Sequence, residues 1–119
     1  MPDFRFVFTA QDYERTVAFY RDQLGLPVVS SWDDHGRGTI LAAGDGQIEI
    51  FGHDGDGSPP RVHGARIAWE VADVDAEIDR LRSRGVPVVS EPADQSWGHR
   101  NAGIEDPDGL PITLYTVIG

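Results

Sequence analysis

Residues 4–9 (Phe-Arg-Phe-Val-Phe-Thr) alternate bulky apolar with other side chains, the period-two pattern of a strand that buries one face. From Gln11 to Leu24 the period lengthens to that of a helix, with Tyr13, Val17, Phe19, Tyr20 and Leu24 as its buried stripe. Asp12 is placed to cap the helix start; Arg15, three positions on, leaves the capping box incomplete. Gly25 suits the helix end, where a left-handed residue is needed. Three strands are predicted next, Leu26–Trp32, Thr39–Ala43 and Gln47–Phe51, the last two joined by a tight turn at Gly44-Asp45-Gly46.

The same order then returns. His53–Pro60 has no periodic apolar pattern and reads as a linker. Beyond it come a strand at Ala65–Val71, a helix at Val74–Arg84 carrying Val74, Ile78 and Leu81, and strands at Val86–Ser90, His99–Glu105 and Ile112–Val117. Asp106-Pro107-Asp108-Gly109 is a strong turn signal before the last strand. Gly25-Leu26-Pro27-Val28-Val29-Ser30 recurs as Gly85-Val86-Pro87-Val88-Val89-Ser90, and each copy follows a helix opened by an aspartate, Asp12 or Asp73. A repeat of half the chain's length implies two paired copies of one unit rather than a solenoid. The expectation is an α+β domain over residues 1–119, built of two βαβββ modules at about 3–52 and 64–118 joined by a linker at about 53–63.

Strand alternation sorts the side chains by face. Phe4, Phe6, Phe8, Ile48, Ile50, Ile67, Trp69, Val71, Ile112 and Leu114 are expected under the helices. Arg5, Val7, Thr9, Gln47, Glu49, Phe51, Arg66, Ala68, Glu70, Thr113 and Tyr115 then project from the helix-free faces. If the two sheets curl into a cup, Arg5, Glu49, Arg66 and Thr113 line its floor.

Three stretches carry a family resemblance. They are Asp12-Tyr-Glu-Arg-Thr-Val-Ala-Phe-Tyr-Arg-Asp-Gln-Leu-Gly-Leu-Pro27, Ile67-Ala-Trp-Glu-Val-Ala-Asp-Val-Asp75, and Trp97-Gly-His-Arg100 with Asp106-Pro-Asp-Gly-Leu-Pro-Ile112. On these the chain resembles the vicinal oxygen chelate superfamily of glyoxalase I, extradiol dioxygenases and bleomycin-resistance proteins. The resemblance implies a curved sheet cup with helices on its outer face. It also implies a divalent cation gripped by His, Gln or Glu on the first, fourth, fifth and eighth strands of catalytic members. Those positions here hold Arg5, Glu49, Arg66 and Thr113. A guanidinium has no lone pair to donate and stays protonated. No conventional metal centre and no cofactor are therefore expected. Arg5 and Glu49 are expected to form a partly buried ion pair, leaving Arg66 as a cation for a ligand carboxylate or phosphate, or for Glu70 or Glu105.

Charge and composition narrow the partners. The chain has 119 residues, 20 acidic against 10 Lys and Arg, a formal charge of −10 and no cysteine. Such acidity disfavours nucleic acid, and the missing thiols remove disulfides and Cys-ligated zinc. Neither a signal peptide nor an apolar run of membrane-spanning length is read, so a cytoplasmic location is expected. Trp32 and Trp97 sit at strand ends, where a flat ring can stack on a ligand or close the core. Of the histidines, His99 stands beside Trp97 and Arg100, while His35, His53 and His63 fall in turns or beside the linker.

The leading expectation is a metal-free binder of a small molecule, acting as a homodimer by resemblance to members of this size. Its ligand-contacting set is Arg5, Trp32, Glu49, Phe51, Arg66, Trp97, His99, Arg100 and Thr113, with no catalytic residue. The alternative is a lyase, isomerase or oxygenase of the glyoxalase or dioxygenase kind with a non-standard site. A third reading is a subunit whose cup is filled by side chains and which serves protein interaction.

Overall fold

A computed structural model of the chain describes residues 3–53 and 62–119. The chain divides into two units, Met1–His63 and Gly64–Gly119. Most of the linker expected at His53–Pro60 lies outside the described residues.

The first unit runs β1 (Arg5–Thr9), α1 (Tyr13–Ala18), a π-helical turn (Phe19–Gln23), β2 (Val28–Trp32), β3 (Gly38–Ala43) and β4 (Gly46–Phe51). The second runs β5 (Ile67–Glu70), α2 (Val74–Ser83), β6 (Val88–Asp94), β7 (His99–Glu105) and β8 (Pro111–Val117). Each unit is one four-stranded mixed sheet, ordered β1-β4-β3-β2 and β5-β8-β7-β6. In both, the first and last strands pair in parallel and the others antiparallel. The predicted βαβββ order is present twice.

The sequence repeat is a structural repeat in detail. Asp12 and Asp73 accept from the backbone N–H of Arg15 and Ala76, each at 3.2 Å. Gly25 and Gly85 end the helical segments at φ 79° and 82°, a region that favours a residue without Cβ. The register slips between Val28 and Ser30 on β2 and again between Val88 and Ser90 on β6. That β-bulge recurs with the repeated Val-Val-Ser and turns both edge strands alike.

Two expectations change. The continuous helix over Gln11–Leu24 is an α-turn followed by a π-turn, closed by Leu24 N–H donating to Phe19 C=O at 2.9 Å. Phe19, Tyr20 and Leu24 are all buried along it, as the sequence pattern predicts. Phe4, expected under the helix, is 72% exposed. It precedes β1, and a Cβ on Gly46 would lie 3.5 Å from its ring, so it rests on the β3–β4 turn instead. Phe8, Ile48, Ile50, Ile112 and Leu114 are buried as expected, with Val17, Tyr20, Ile78 and Leu81 of the helical segments, whereas Phe6, Ile67, Trp69 and Val71 are half-buried.

Candidate functional site

Pairing across each sheet sets which side chains share the helix-free face. In the first unit Val7, Glu49, Ile40 and Ser30 form one row, and Thr9, Phe51, Gly38 and Trp32 the next. In the second unit the matching rows are Ala68, Thr113, Gly103, Ser90 and Glu70, Tyr115, Asn101, Ala93. Glu49 and Thr113 thus hold equivalent places, and so by alternation do Arg5 and Arg66.

Arg5 is engaged on two sides. Its Nη1 donates to Glu49 Oε1 at 3.0 Å and its Nε to Asp3 Oδ2 at 2.5 Å. The hydrogen bond to Glu49 first, then that to Asp3, holds the guanidinium above its ordinary pKa. The Glu49 side chain is only 14% exposed, so a partner for its charge is needed there. The expected ion pair is formed. Arg66, at the matching place in the second unit, is exposed and has no ion pair or hydrogen-bond partner among the described residues. It pairs with neither Glu70 nor Glu105.

Trp32 and Phe51 meet on the first face with ring centroids 5.8 Å apart at 70°, an edge-to-face contact. Gly38 makes this possible. It lies between them in the row, and a Cβ there would fall 2.0 Å from Trp32 Cζ2. On the second face His99 stacks flat on Tyr115, 4.5 Å between centroids and 4° between planes. Thr113 is half-buried in the neighbouring row.

Two residues of the expected set stand apart. Trp97 is 62% exposed at the tip of the β6–β7 hairpin, closed by Gln95 N–H donating to His99 C=O at 2.7 Å. Arg100 is on the opposite face from His99, because adjacent strand residues alternate. Its Nε and Nη2 donate to the two carboxylate oxygens of Asp75 at 2.8 and 3.0 Å, and its Nη1 to Asp94 at 2.9 Å. Arg100 therefore ties α2 to β6 and β7, and its placement gives it no share in the helix-free face. Tyr115, Asn101 and Gln47 were absent from the sequence-based set, though the same alternation that selects Thr113 and Glu49 selects them. Gln47 Oε1 and Asn101 Oδ1 are buried without a partner among the described residues.

These residues do not fit a divalent metal. At the four positions where the resemblance implies ligands stand one carboxylate, already accepting from Arg5, two guanidinium groups and one hydroxyl. No group of three His, Cys, Asp or Glu gathers among the described residues. Nor is any described helix long and apolar enough to cross a membrane.

Comparison with known proteins agrees with the fold. Residues 4–114 match the model of the Glyoxalase/Bleomycin resistance protein/Dioxygenase superfamily. The chain is 32% identical to a bleomycin resistance protein of Klebsiella pneumoniae, over 88% of this chain and 84% of that one. It is 31% identical to a probable lactoylglutathione lyase of Synechocystis sp., over 87% and 86%. Its fold matches that of TnmS3, an antibiotic binding protein from Streptomyces sp. CB03234, with a TM-score of 0.76, 29% identity, and 98% and 96% of the two chains covered. With residues 4–114 matched, across both units, the chain belongs to the Glyoxalase/Bleomycin resistance protein/Dioxygenase superfamily.

Proposed function

We propose that this protein binds a small, flat molecule on the helix-free faces of its sheets without a metal ion, and holds it rather than transforms it. The observation that carries the reading is the Arg5–Glu49 ion pair: the one carboxylate at the family's metal positions already has its cation. The Trp32–Phe51 pair and the His99–Tyr115 stack supply aromatic surface for a flat ligand. The unpaired guanidinium of Arg66, a planar fork of donors, suits an anionic or acceptor-rich group on that ligand. Glu49 borders the first of these faces and Thr113 the second. The resemblance to a bleomycin resistance protein and to an antibiotic binding protein favours sequestration of an antibiotic-like or aromatic compound. In this reading the protein works in the cytoplasm as a homodimer with two equivalent sites.

The similarity to a probable lactoylglutathione lyase supports a second reading, an enzyme that uses Glu49 with unusual partners. One experiment separates the two. Protein purified without chelator is assayed for metal, then titrated with flat aromatic carboxylates such as 2-naphthoate while tryptophan fluorescence is followed. Sub-stoichiometric metal and saturable quenching that Arg66→Ala weakens are expected. One tightly held divalent ion per chain, or quenching indifferent to Arg66→Ala, would overturn the proposal.

A further inference from the structure

On the other side of the first sheet lies an open groove of about 610 Å³, within the range of small-molecule sites. One wall is the face of α1 and the π-turn that carries Tyr13, Val17 and Arg21; the other is the end of β2 and the start of β3, with Ser31, Trp32, Thr39 and Asp33 just beyond β2. The duplication shows why it is open. In the second unit α2 packs over β6, β7 and β8, whereas α1 packs chiefly against β4.

Matching side chains make the difference. Arg82 of α2 pairs with Glu91 of β6 and draws helix to strand. The corresponding residues in the first unit are Arg21 and Ser31. With no carboxylate on the strand, Arg21 turns to its neighbour Asp22, donating from Nε and Nη2 at 2.8 Å each. Arg100 is bound by both Asp75 and Asp94. Its counterpart Arg37 donates to Glu14, the counterpart of Asp75, at 3.2 Å, but lies over the Tyr13 ring at 4.6 Å. Asp33, which follows Trp32 as Asp94 follows Ala93, has no partner among the described residues.

The groove is thus missing one guanidinium. The Tyr13 hydroxyl and Thr39 Oγ1 satisfy each other at 2.5 Å, Arg37 has Glu14 and Arg21 has Asp22. Asp33 remains the uncompensated charge of the lining. We propose that this groove binds an amidinium or guanidinium cation with an apolar body, Asp33 taking the cation as Asp94 takes Arg100. A planar fork fits a carboxylate through two parallel hydrogen bonds, and Val17 offers apolar surface behind it. The groove opens on the helix side of the sheet and shares only Trp32, at the strand's end, with the face described above; Asp33, which carries the proposal, has no part in that reading.

Benzamidine and its neutral isostere benzamide test this on the whole protein, by chemical-shift mapping on isotope-labelled material. Benzamidine is expected to shift the amides of Tyr13, Val17, Ser31, Asp33 and Thr39. Its preference over benzamide should be about three- to fivefold, the size of a partly exposed ion pair. Asp33→Asn should abolish that preference, and Arg66→Ala should leave it unchanged. Equal binding of the two probes, a preference that survives Asp33→Asn, shifts centred on His99 and Tyr115, or no shifts up to ~10 mM probe, weaker than any typical specific site, would each overturn the proposal.

Discussion

Gly38→Ala probes the aromatic face at the point where backbone and ring come closest. The added Cβ would lie 2.0 Å from Trp32 Cζ2, 2.4 Å from Cε2 and 2.7 Å from Cη2. Carbon atoms in contact sit ~3.5–4.0 Å apart, so the indole has to swing away by ~1.5 Å or more. Its edge-to-face contact with Phe51, 5.8 Å between centroids, is then lost. Such a contact is worth ~0.5–1.5 kcal/mol. Forced rearrangement of a packed site adds ~1–3 kcal/mol, here at the low end because the ring is only half-buried and free to move. A net loss of ~1–2.5 kcal/mol is expected, read as a fall of ~1 M in urea midpoint at ordinary denaturant sensitivity. The near-UV circular dichroism of tryptophan should weaken in parallel. Phe51→Ala serves as the matched control, removing the contact without the clash. A loss below ~0.5 kcal/mol with an unchanged near-UV spectrum would refute the placement of Trp32 over Gly38.

Arg100→Met should flatten the acid limb of stability. Arg100, through its hydrogen bond first, holds the Asp75 carboxyl below its ordinary pKa. A carboxyl depressed on folding contributes stability that is present above the unfolded value near 3.9 and is lost as pH falls through the folded value. Urea unfolding of both proteins should therefore differ most above pH ~4 and converge by pH ~2; parallel curves throughout would count against the linkage. Asp12→Ala and Asp73→Ala each remove one N-cap and should cost ~1 kcal/mol in chemical denaturation. Because the two caps are alike in geometry and lie in separate units, the double substitution should cost the sum of the two.

The scaffold was largely legible in the sequence because its signals are local. Alternation at Ile48-Glu49-Ile50 and Ile112-Thr113-Leu114, the caps at Asp12 and Asp73, and the glycines at 25 and 85 each depend on a few neighbouring residues. Alternation and the family resemblance select Arg5, Glu49, Arg66 and Thr113, and the repeat makes Arg5 and Arg66 equivalent. What escaped depends on pairing between strands. The π-turn at Phe19–Gln23 carries no local motif: Phe19, Tyr20 and Leu24 would share one face of a regular helix as well. Arg100 was grouped with His99 by adjacency, yet a strand sends adjacent side chains to opposite faces. Phe4 kept the right parity but fell one residue short of the strand, where no helix covers it. Tyr115 has the right parity, but what marks it out is the His99 stack, which no local pattern shows.

Duplication also separates what the scaffold requires from what each face is free to become. The helix-to-strand tie is kept in both copies, as Glu14–Arg37 and Asp75–Arg100, although one acid is longer than the other. A contact preserved through such divergence is part of how a helix is held on its sheet. The rows facing away from the helices are not preserved. Thr9, Phe51, Gly38 and Trp32 in one copy stand against Glu70, Tyr115, Asn101 and Ala93 in the other. The first row is apolar and self-packed; the second is polar, and no side-chain hydrogen bond or ion pair joins its members among the described residues. Two sheets of one ancestry thus present chemically different surfaces on the same backbone. A ligand of the first face needs an apolar ring, and a ligand of the second needs hydrogen-bonding groups. Binding should then fail differently by copy: Phe51→Ala weakening every flat ligand alike, and Tyr115→Ala discriminating among them by their polar edge. Equal losses from the two substitutions across a series of substituted naphthoates, measured by fluorescence titration, would mean that the two faces are not specialised.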